Sequence, residues 1–286
     1  MKRIMVLGAG GMVGHIMAAY LAQKPDYEVI RCERSAFTPE TVVLDMMDFQ
    51  RVEDVLHDSS PDIVINCAGI LVQASQDRMD RTILLNSYLP HLLSRLGRQY
   101  GFRLVHFSTD CVFSGERGQY SEDDFPDGET PYARTKALGE VINDSDITLR
   151  KSAIGPELKL DGTGLLHWFL MQKGEIKGYT KAYWSGVTTL ELAKVVDHCI
   201  RQGLTGLINL TMSEKISKYD LLVTCQKVWS HSNVKILPED SYASDKSLVS
   251  RRQDLAFHLP PTYSAMLVEL RDFMNQRREC YRHYPF

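Results

Sequence analysis

A glycine-rich turn near the start of the chain constrains the fold more than any other feature. The apolar run at residues 4–7 is followed at once by glycines at positions 8, 11 and 14, and residues 12–22 have a helical pattern. Glycines permit a tight turn, and the helix N-terminus that follows favours a pyrophosphate. Between a strand and a helix, this turn predicts a dinucleotide site, although a purely structural turn is the alternative. Its predicted contacts are Gly8, Gly11, Met12, Val13 and Gly14.

Short apolar runs alternate with amphipathic stretches over the first 150 residues, which is typical of a parallel sheet covered by helices on both faces. The predicted strands are 4–7, 28–31, 42–44, 63–65, 104–107, 147–149 and 207–210. The predicted helices are 12–22, 49–57, 83–100, 132–143, 165–172, 190–201, 217–229 and 263–275. Pro90 predicts a kink or a late start in the third helix.

This alternation predicts an α/β fold, a Rossmann-type doubly wound parallel sheet with a smaller C-terminal substrate lobe. The expected NAD(P)-binding domain covers residues 1–150 and is completed by about 186–215. Residues 151–185 and 216–286 are expected to form the substrate-binding lobe.

Composition and charge argue against several classes of protein. The net charge of −3 and the absence of long basic runs predict no nucleic-acid partner, and no apolar stretch is long enough to predict a membrane partner. The six cysteines lack C-x-x-C spacing, which predicts free thiols in a reducing compartment. With no signal-peptide pattern near residue 1, we expect a cytoplasmic protein, and the sequence has no convincing metal site.

The residues at the end of the second predicted strand bear on the choice between NADH and NADPH. An acidic residue there would bind the ribose 2′-hydroxyl of NADH, and a basic one the 2′-phosphate of NADPH. The chain offers both, because Glu33 lies between Arg31 and Arg34. Two arginines around one glutamate favour NADPH slightly over NADH.

Tyr132 and Lys136 form a Y-x-x-x-K pair, which shares one face of a helix. An ammonium group near the phenol would lower the tyrosine pKa and assist proton transfer to a carbonyl oxygen. With 13 tyrosines in the chain, about 0.6 such pairs are expected by chance, and Tyr20 with Lys24 is a second one. Tyr132 is favoured because it follows the fifth strand, whereas Tyr20 ends the first helix.

The end of the fifth strand carries Ser108, Thr109 and Asp110. Ligands of doubly wound sheets bind beyond the carboxyl ends of the strands. A hydroxyl of Ser108 or Thr109 could therefore hydrogen-bond the substrate carbonyl, and Asp110 is a further candidate for a substrate contact. Loop capping is the alternative for all three.

These motifs resemble the extended short-chain dehydrogenase/reductase family. Residues 107–115 and 131–140 are similar to its dTDP-4-dehydrorhamnose reductase-like group, as are residues 66–69, Asn86 with Pro90, and residues 186–189. The resemblance implies Thr109, Tyr132 and Lys136 as catalytic residues, with Lys136 also holding the cofactor. It further implies a nucleotide-linked 4-keto-6-deoxy sugar as the substrate to be reduced. The implied cofactor contacts in the middle of the domain are Asp45, Met46, Cys67, Ala68 and Gly69.

Two positions depart from the family pattern. Cys111 stands where the group usually has tyrosine and where sugar-nucleotide dehydratases carry glutamate, which argues against a dehydratase. A buried thiol is favoured over a catalytic one. Ser114 replaces the usual aspartate, which leaves the exact sugar open.

The C-terminal lobe is expected to supply further substrate contacts, foremost Trp184 and Arg251. Aromatic rings there could stack on a base and an arginine could pair with a diphosphate, although core packing is the alternative for each aromatic. The other candidates are Trp168, Tyr179, Tyr183 and Arg252.

Two alternatives to a simple reductase stay open. The first is a non-catalytic, NADP-binding regulatory subunit, like the regulatory subunit of methionine adenosyltransferase in the same family. The second is a sugar-nucleotide epimerase/reductase, for which His167 and His258 are the candidate acid/base residues. A homodimer is one assembly that the sequence leaves open.

Overall fold

The computed structural model describes residues 1–255 and 257–284. Its strands are β1 (Lys2–Leu7), β2 (Tyr27–Glu33), β3 (Val42–Val43), β4 (Ile63–Asn66), β5 (Arg103–Thr109), β6 (Ile147–Lys151), β7 (Ala153–Ile154), β8 (Gly174–Trp184), β9 (Val187–Thr188), β10 (Gly206–Leu210), β11 (Ile216–Ser217) and β12 (Val234–Asp245). Its α-helices are α1 (Met12–Leu21), α2 (Phe49–Ser59), α3 (Val72–Asp77), α4 (Met79–Ile83), α5 (Leu89–Tyr100), α6 (Pro131–Leu138), α7 (Leu165–Leu170), α8 (Thr189–Gln202), α9 (Lys218–Val228) and α10 (Tyr263–Asn275).

Seven strands form one parallel sheet in the order β10-β6-β5-β4-β1-β2-β3. The order reverses between β1 and β4, which places a crevice beyond the carboxyl ends of these two strands. This arrangement confirms the predicted Rossmann-type doubly wound sheet. The strand at residues 206–210 lies beside β6, at the edge of the sheet.

Apolar side chains cover both faces of the sheet, because neighbouring residues of a strand point to opposite sides. Ile4 and Val6 pack into one core with α1, α8 and the C-terminal helices. Met5 and Leu7 pack into a second core with α2 and α5. The short strands are therefore continuously apolar, as the sequence pattern predicts.

Residues after 150 build two small sheets, β11-β8-β12 and β7-β9, together with α7, α9 and α10. The two longest strands of the chain, β8 and β12, are missing from the sequence prediction. Burial alternates along most of β8, and β12 has a single buried residue, Val234, so neither contains the continuous apolar run by which the strands of the large sheet were identified.

The helix expected at 83–100 begins earlier and changes its winding. It runs through α4, a π-helical segment at Leu84–Tyr88, and α5. Pro90 lies in the first turn of α5, where a missing N–H is tolerated. The helix expected at 132–143 ends at Leu138, because Gly139 lies against this π-helical segment. A Cβ at position 139 would lie 1.9 Å from the carbonyl oxygen of Asn86.

Helices of the described residues are all too short or too polar to cross a bilayer. The six cysteines are all free thiols.

Candidate active site

The glycine turn is built so tightly that two of its positions accept no side chain. Gly8 has a φ of +76°, and a Cβ there would lie 3.0 Å from the backbone nitrogen of Ala68. A Cβ at Gly14 would lie 2.1 Å from the carbonyl oxygen of Gly8. Gly11 is the N-cap of α1 and has no side chain to satisfy the first free N–H groups of that helix. The turn therefore brings a helix N-terminus and bare backbone to the sheet edge, as an anionic ligand requires.

A cavity of about 380 Å³ opens above this turn. Nine of the predicted cofactor residues line it: Gly8, Gly11, Glu33, Arg34, Asp45, Met46, Cys67, Ala68 and Gly69. We call it the glycine-loop cavity. Met12, Val13, Gly14, Arg31 and Lys136 are predicted contacts that lie outside its lining.

Sequence reasoning missed eight residues of this lining, namely Leu44, Met47, Ile70, Ala74, Arg78, Arg81, Leu85 and Lys159. Three of these eight are cationic. Arg78 and Arg81 follow the fourth strand three residues apart, and that spacing was the available signal. Lys159 comes from the loop after β7, and nothing in its local pattern pointed to this cavity.

Glu33 is held by the glycine turn itself. Its carboxylate accepts hydrogen bonds from the backbone N–H of Gly10 at 2.9 Å and from that of Arg34 at 3.1 Å. Arg34 beside it is exposed and lines the cavity. Arg31 is the register partner of Val6 in the sheet and does not line the cavity, so its role in binding the cofactor stays a prediction.

Thr109 and Tyr132 meet at the carboxyl end of β5. The Thr109 hydroxyl accepts from the N–H of Cys111 and donates to Asp110, both at 3.1 Å, and it lies near enough to the phenol of Tyr132 to act on its pKa, which it lowers. The hydroxyl of Thr130 accepts from the N–H of Ala133 at 3.1 Å and so caps α6, the helix that begins with Pro131 and carries Tyr132. The two hydroxyls thus lie together where a substrate carbonyl is expected.

The electrostatics of Tyr132 differ from the expectation. Burial raises the pKa of its phenol, and the neighbouring Cys111 raises it further. The predicted lowering by Lys136 is wrong, because Lys136 is not among the groups that shift this pKa. The Lys136 amine donates instead to the carbonyl oxygen of Phe107, at 2.6 Å, and burial lowers its pKa to about 7.

Ser108 points away from Thr109, because successive residues of a strand face opposite sides. Its hydroxyl is fully buried and donates to Glu140 at 2.7 Å. Arg150 pairs with the same carboxylate through two hydrogen bonds, of 2.7 and 2.8 Å. The prediction of Ser108 as a substrate contact is therefore withdrawn, since its hydroxyl belongs to a buried ionic network.

Asp110 lies at the site as predicted, with two lysines that the sequence analysis overlooked. Its carboxylate acts electrostatically on Lys151, the last residue of β6, and on Lys218, the first of α9. Both lysines are half-buried, and burial lowers both pKa values. The nearby Cys111 thiol has a pKa raised to about 11, mainly by burial, so it stays protonated at neutral pH.

Two predicted substrate contacts of the C-terminal lobe have partners within the chain. Trp184 is only 3% exposed and packs on Tyr263, so its ring belongs to the core. Arg251 is exposed and forms an ion pair with Asp123 at 3.2 Å. Among the other candidates, Arg252 pairs with Asp254, while Trp168, Tyr179 and Tyr183 are partly exposed.

The histidines proposed for an epimerase are poorly placed for acid/base work. His167 is buried, and its ring nitrogens contact the hydroxyl of Tyr284 at 2.9 Å and the carbonyl oxygen of Leu160 at 3.2 Å. His258 is exposed in the loop before α10. The second Y-x-x-x-K pair is a surface contact, with the Lys24 ammonium 4.4 Å from the centre of the Tyr20 ring.

Comparison with known proteins shows the family to which the chain belongs. Residues 1–153 match the family model described as RmlD substrate binding domain. The spore coat polysaccharide biosynthesis protein SpsK of Bacillus subtilis is 32% identical over 144 residues, which are 50% of this chain and 48% of that protein. The dTDP-4-keto-6-deoxy-D-glucose reductase of Streptomyces niveus is 26% identical over 77% of this chain and 76% of its own.

A solved structure shares almost the whole fold. The hypothetical dTDP-4-dehydrorhamnose reductase from Sulfolobus tokodaii superimposes with a TM-score of 0.77 at 26% identity, over 90% of this chain and 96% of that one. By contrast, the chain spans only about half the length of the first curated relatives that it matches.

Proposed function

Because the chain belongs to the RmlD substrate binding domain family, we propose that it is an NAD(P)H-dependent reductase of a nucleotide-linked 4-keto-6-deoxy sugar. The observation that carries this proposal is the meeting of the Thr109 and Tyr132 hydroxyls at the carboxyl end of β5. The reductase names of the Streptomyces niveus relative and the Sulfolobus tokodaii structure support the class of substrate.

The glycine-loop cavity fits a dinucleotide. Positions 8 and 14 have no room for a Cβ, which leaves bare backbone for a pyrophosphate. Four cationic residues line the cavity against two acidic ones; the cations are Arg34, Arg81, Lys159 and Arg78, the last of which pairs with Asp80 at 3.0 Å. Since the Glu33 carboxylate is held by the backbone, Arg34 is the side chain free to meet a 2′-phosphate, so NADPH is favoured over NADH.

A nicotinamide cofactor bound there would supply the hydride to the carbonyl carbon. Tyr132 breaks its O–H bond and gives the proton to the carbonyl oxygen, so the C=O group becomes CH–OH as the cofactor is oxidised. Burial keeps the phenol protonated at neutral pH, as a proton donor must be, and the same raised pKa makes it a weaker acid. Thr109 orients the carbonyl oxygen, and Lys136 is proposed to hold the nicotinamide ribose.

The anionic part of the substrate needs cations, and Arg251 is engaged with Asp123. We assign that task to Lys151 and Lys218, which are half-buried and flank Asp110. Neither ammonium has a hydrogen-bond acceptor among residues 1–255 and 257–284, so both can pair with a diphosphate. Lys218→Met should raise KM for a sugar nucleotide more than it changes kcat.

The test is oxidation of NADPH and of NADH with a panel of 4-keto-6-deoxy sugar nucleotides, followed at the absorbance of the reduced cofactor. We expect consumption of NADPH with at least one member. A chain that binds NADPH tightly yet consumes none with any member would contradict the reductase and favour the regulatory subunit. The epimerase/reductase is disfavoured because neither His167 nor His258 is placed for acid/base work.

A further inference from the structure

A buried row of three polar side chains lies beneath the Thr109/Tyr132 pair. It joins Asn66 at the end of β4, His106 on β5 and Lys136 on α6. Their exposed fractions are 1%, 1% and 6%, so water contributes little to their hydrogen bonding. The two links of the row, Asn66 Nδ2 to His106 Nδ1 and His106 Nε2 to Lys136 Nζ, are both 3.3 Å long. Buried polar groups of this kind are normally paired donor to acceptor.

The direction of the first link is set by the backbone. Asn66 Oδ1 accepts from the N–H of Ala68 at 3.1 Å, so the amide turns its NH₂ towards the ring of His106. His106 Nδ1 must then be the acceptor, and a neutral imidazole carries its single proton on the other nitrogen, Nε2. If the amide were turned the other way, its NH₂ group would face the N–H of Ala68, and two donors would meet without an acceptor.

The second link then determines the charge on Lys136. An ammonium has three donors and no acceptor. A cationic Lys136 would therefore place one of its N–H groups against the N–H of His106 Nε2, and neither could accept. A neutral amine has a lone pair for the His106 proton and still donates to the carbonyl oxygen of Phe107 at 2.6 Å. Only the neutral amine satisfies every contact of the row.

We propose that His106 is a positioning residue that holds Lys136 as a neutral amine in the chain without cofactor. Lys136 is then a proton acceptor at the end of a hydrogen-bonded row rather than a fixed cation beside Tyr132. This state of Lys136 is a property of the chain alone, whereas its effect on catalysis rests on the proposed function.

The surroundings agree with this assignment. Burial and then Lys151 lower the pKa of Lys136, Glu140 opposes both, and the resulting pKa is about 7. For His106, burial is the main cause that holds the pKa well below the ordinary value, so the ring is neutral.

Titration of the chain without cofactor tests the proposal directly. Nitrogen-15 NMR of the His106 ring should show the Nε2–H tautomer, and the ¹³Cε signal of Lys136, assigned with Lys136→Met, should titrate near pH 7. A Lys136 midpoint near its ordinary 10.5, or an Nδ1–H tautomer of His106, would overturn the proposal. Neither reading depends on enzymatic activity.

Two variants test the hydrogen-bond logic. Asn66→Asp offers His106 Nδ1 an acceptor, moves the ring proton to Nδ1 and lets Nε2 accept from an ammonium, so the Lys136 midpoint should rise by about one pH unit or more. His106→Gln can turn its carbonyl oxygen to Lys136 and should raise the midpoint likewise. His57→Gln, at an exposed histidine of α2, is the control that should leave it unchanged. Unshifted midpoints in both folded variants would refute the role of His106.

The reductase assay gives a second, separable readout. If the chain is a reductase, the same upward shift should appear in the pH dependence of kcat/KM for both variants. A shift in the NMR titration without turnover in the wild type would contradict the proposed function and leave the assignment of Lys136 standing.

Discussion

Ser108 and Thr109 are neighbours with opposite roles, and replacing each in turn separates stability from catalysis. Ser108→Ala removes a hydrogen bond of 2.7 Å to the Glu140 carboxylate, which keeps its two bonds to Arg150. Hydrogen bonds to charged groups contribute about 1.5–3 kcal/mol, so we expect a loss of about 2 kcal/mol in the free energy of unfolding. For a chain of this size that lowers Tm by roughly 4–8 °C.

Thr109→Ala should lower turnover strongly and stability only a little. The loss of its bond to the Cys111 N–H costs about 1 kcal/mol of stability. The lost hydroxyl should lower kcat/KM by about 10²-fold, because it holds the reacting oxygen. Urea unfolding and steady-state NADPH oxidation on the same preparations measure both effects. The account of the strand is refuted if Ser108→Ala keeps its stability and loses turnover.

Three further predictions concern His15, Gly139 and Cys111. The pKa of buried His15 is lowered from 6.5 to about 4, so the stability it provides is complete above pH 6.5 and is lost as the pH falls towards 4. This loss, about 3 kcal/mol in total, should appear in urea unfolding and be absent in His15→Gln. Gly139→Ala should cost several kcal/mol in thermal unfolding, about 3 or more, because its Cβ would clash with the Asn86 carbonyl. Cys111→Ser should keep full turnover, since a thiol with a pKa of about 11 is not a nucleophile at neutral pH.

The sequence was sufficient to predict the sheet, because its strands are buried on both faces and their apolar runs carry the signal. The glycine turn was equally readable, since positions 8 and 14 have no room for a side chain. The strands β8 and β12 could not be predicted, because β8 alternates between buried and exposed residues, β12 is almost entirely unburied, and both carry charged side chains.

Candidate site residues were harder to predict than the fold. Proximity to a strand end suggested both Ser108 and Thr109, but only the pleat decides which of them faces the crevice. Lys151 and Lys218 are 67 residues apart in sequence, and the packing of α9 against the sheet region brings both near Asp110. Nothing local to either lysine indicates that meeting. Thr109, Tyr132 and Lys136 stay predictions as catalytic residues.

Replacement of Tyr132 by phenylalanine tests the central claim most directly. Tyr132→Phe removes only the hydroxyl, and Tyr20→Phe at the surface pair is the matched control. We predict that Tyr132→Phe binds NADPH as the wild type does, measured by the fluorescence of the cofactor, and loses about 10²–10⁴-fold in kcat with a 4-keto-6-deoxy sugar nucleotide. Full turnover by Tyr132→Phe would contradict the account.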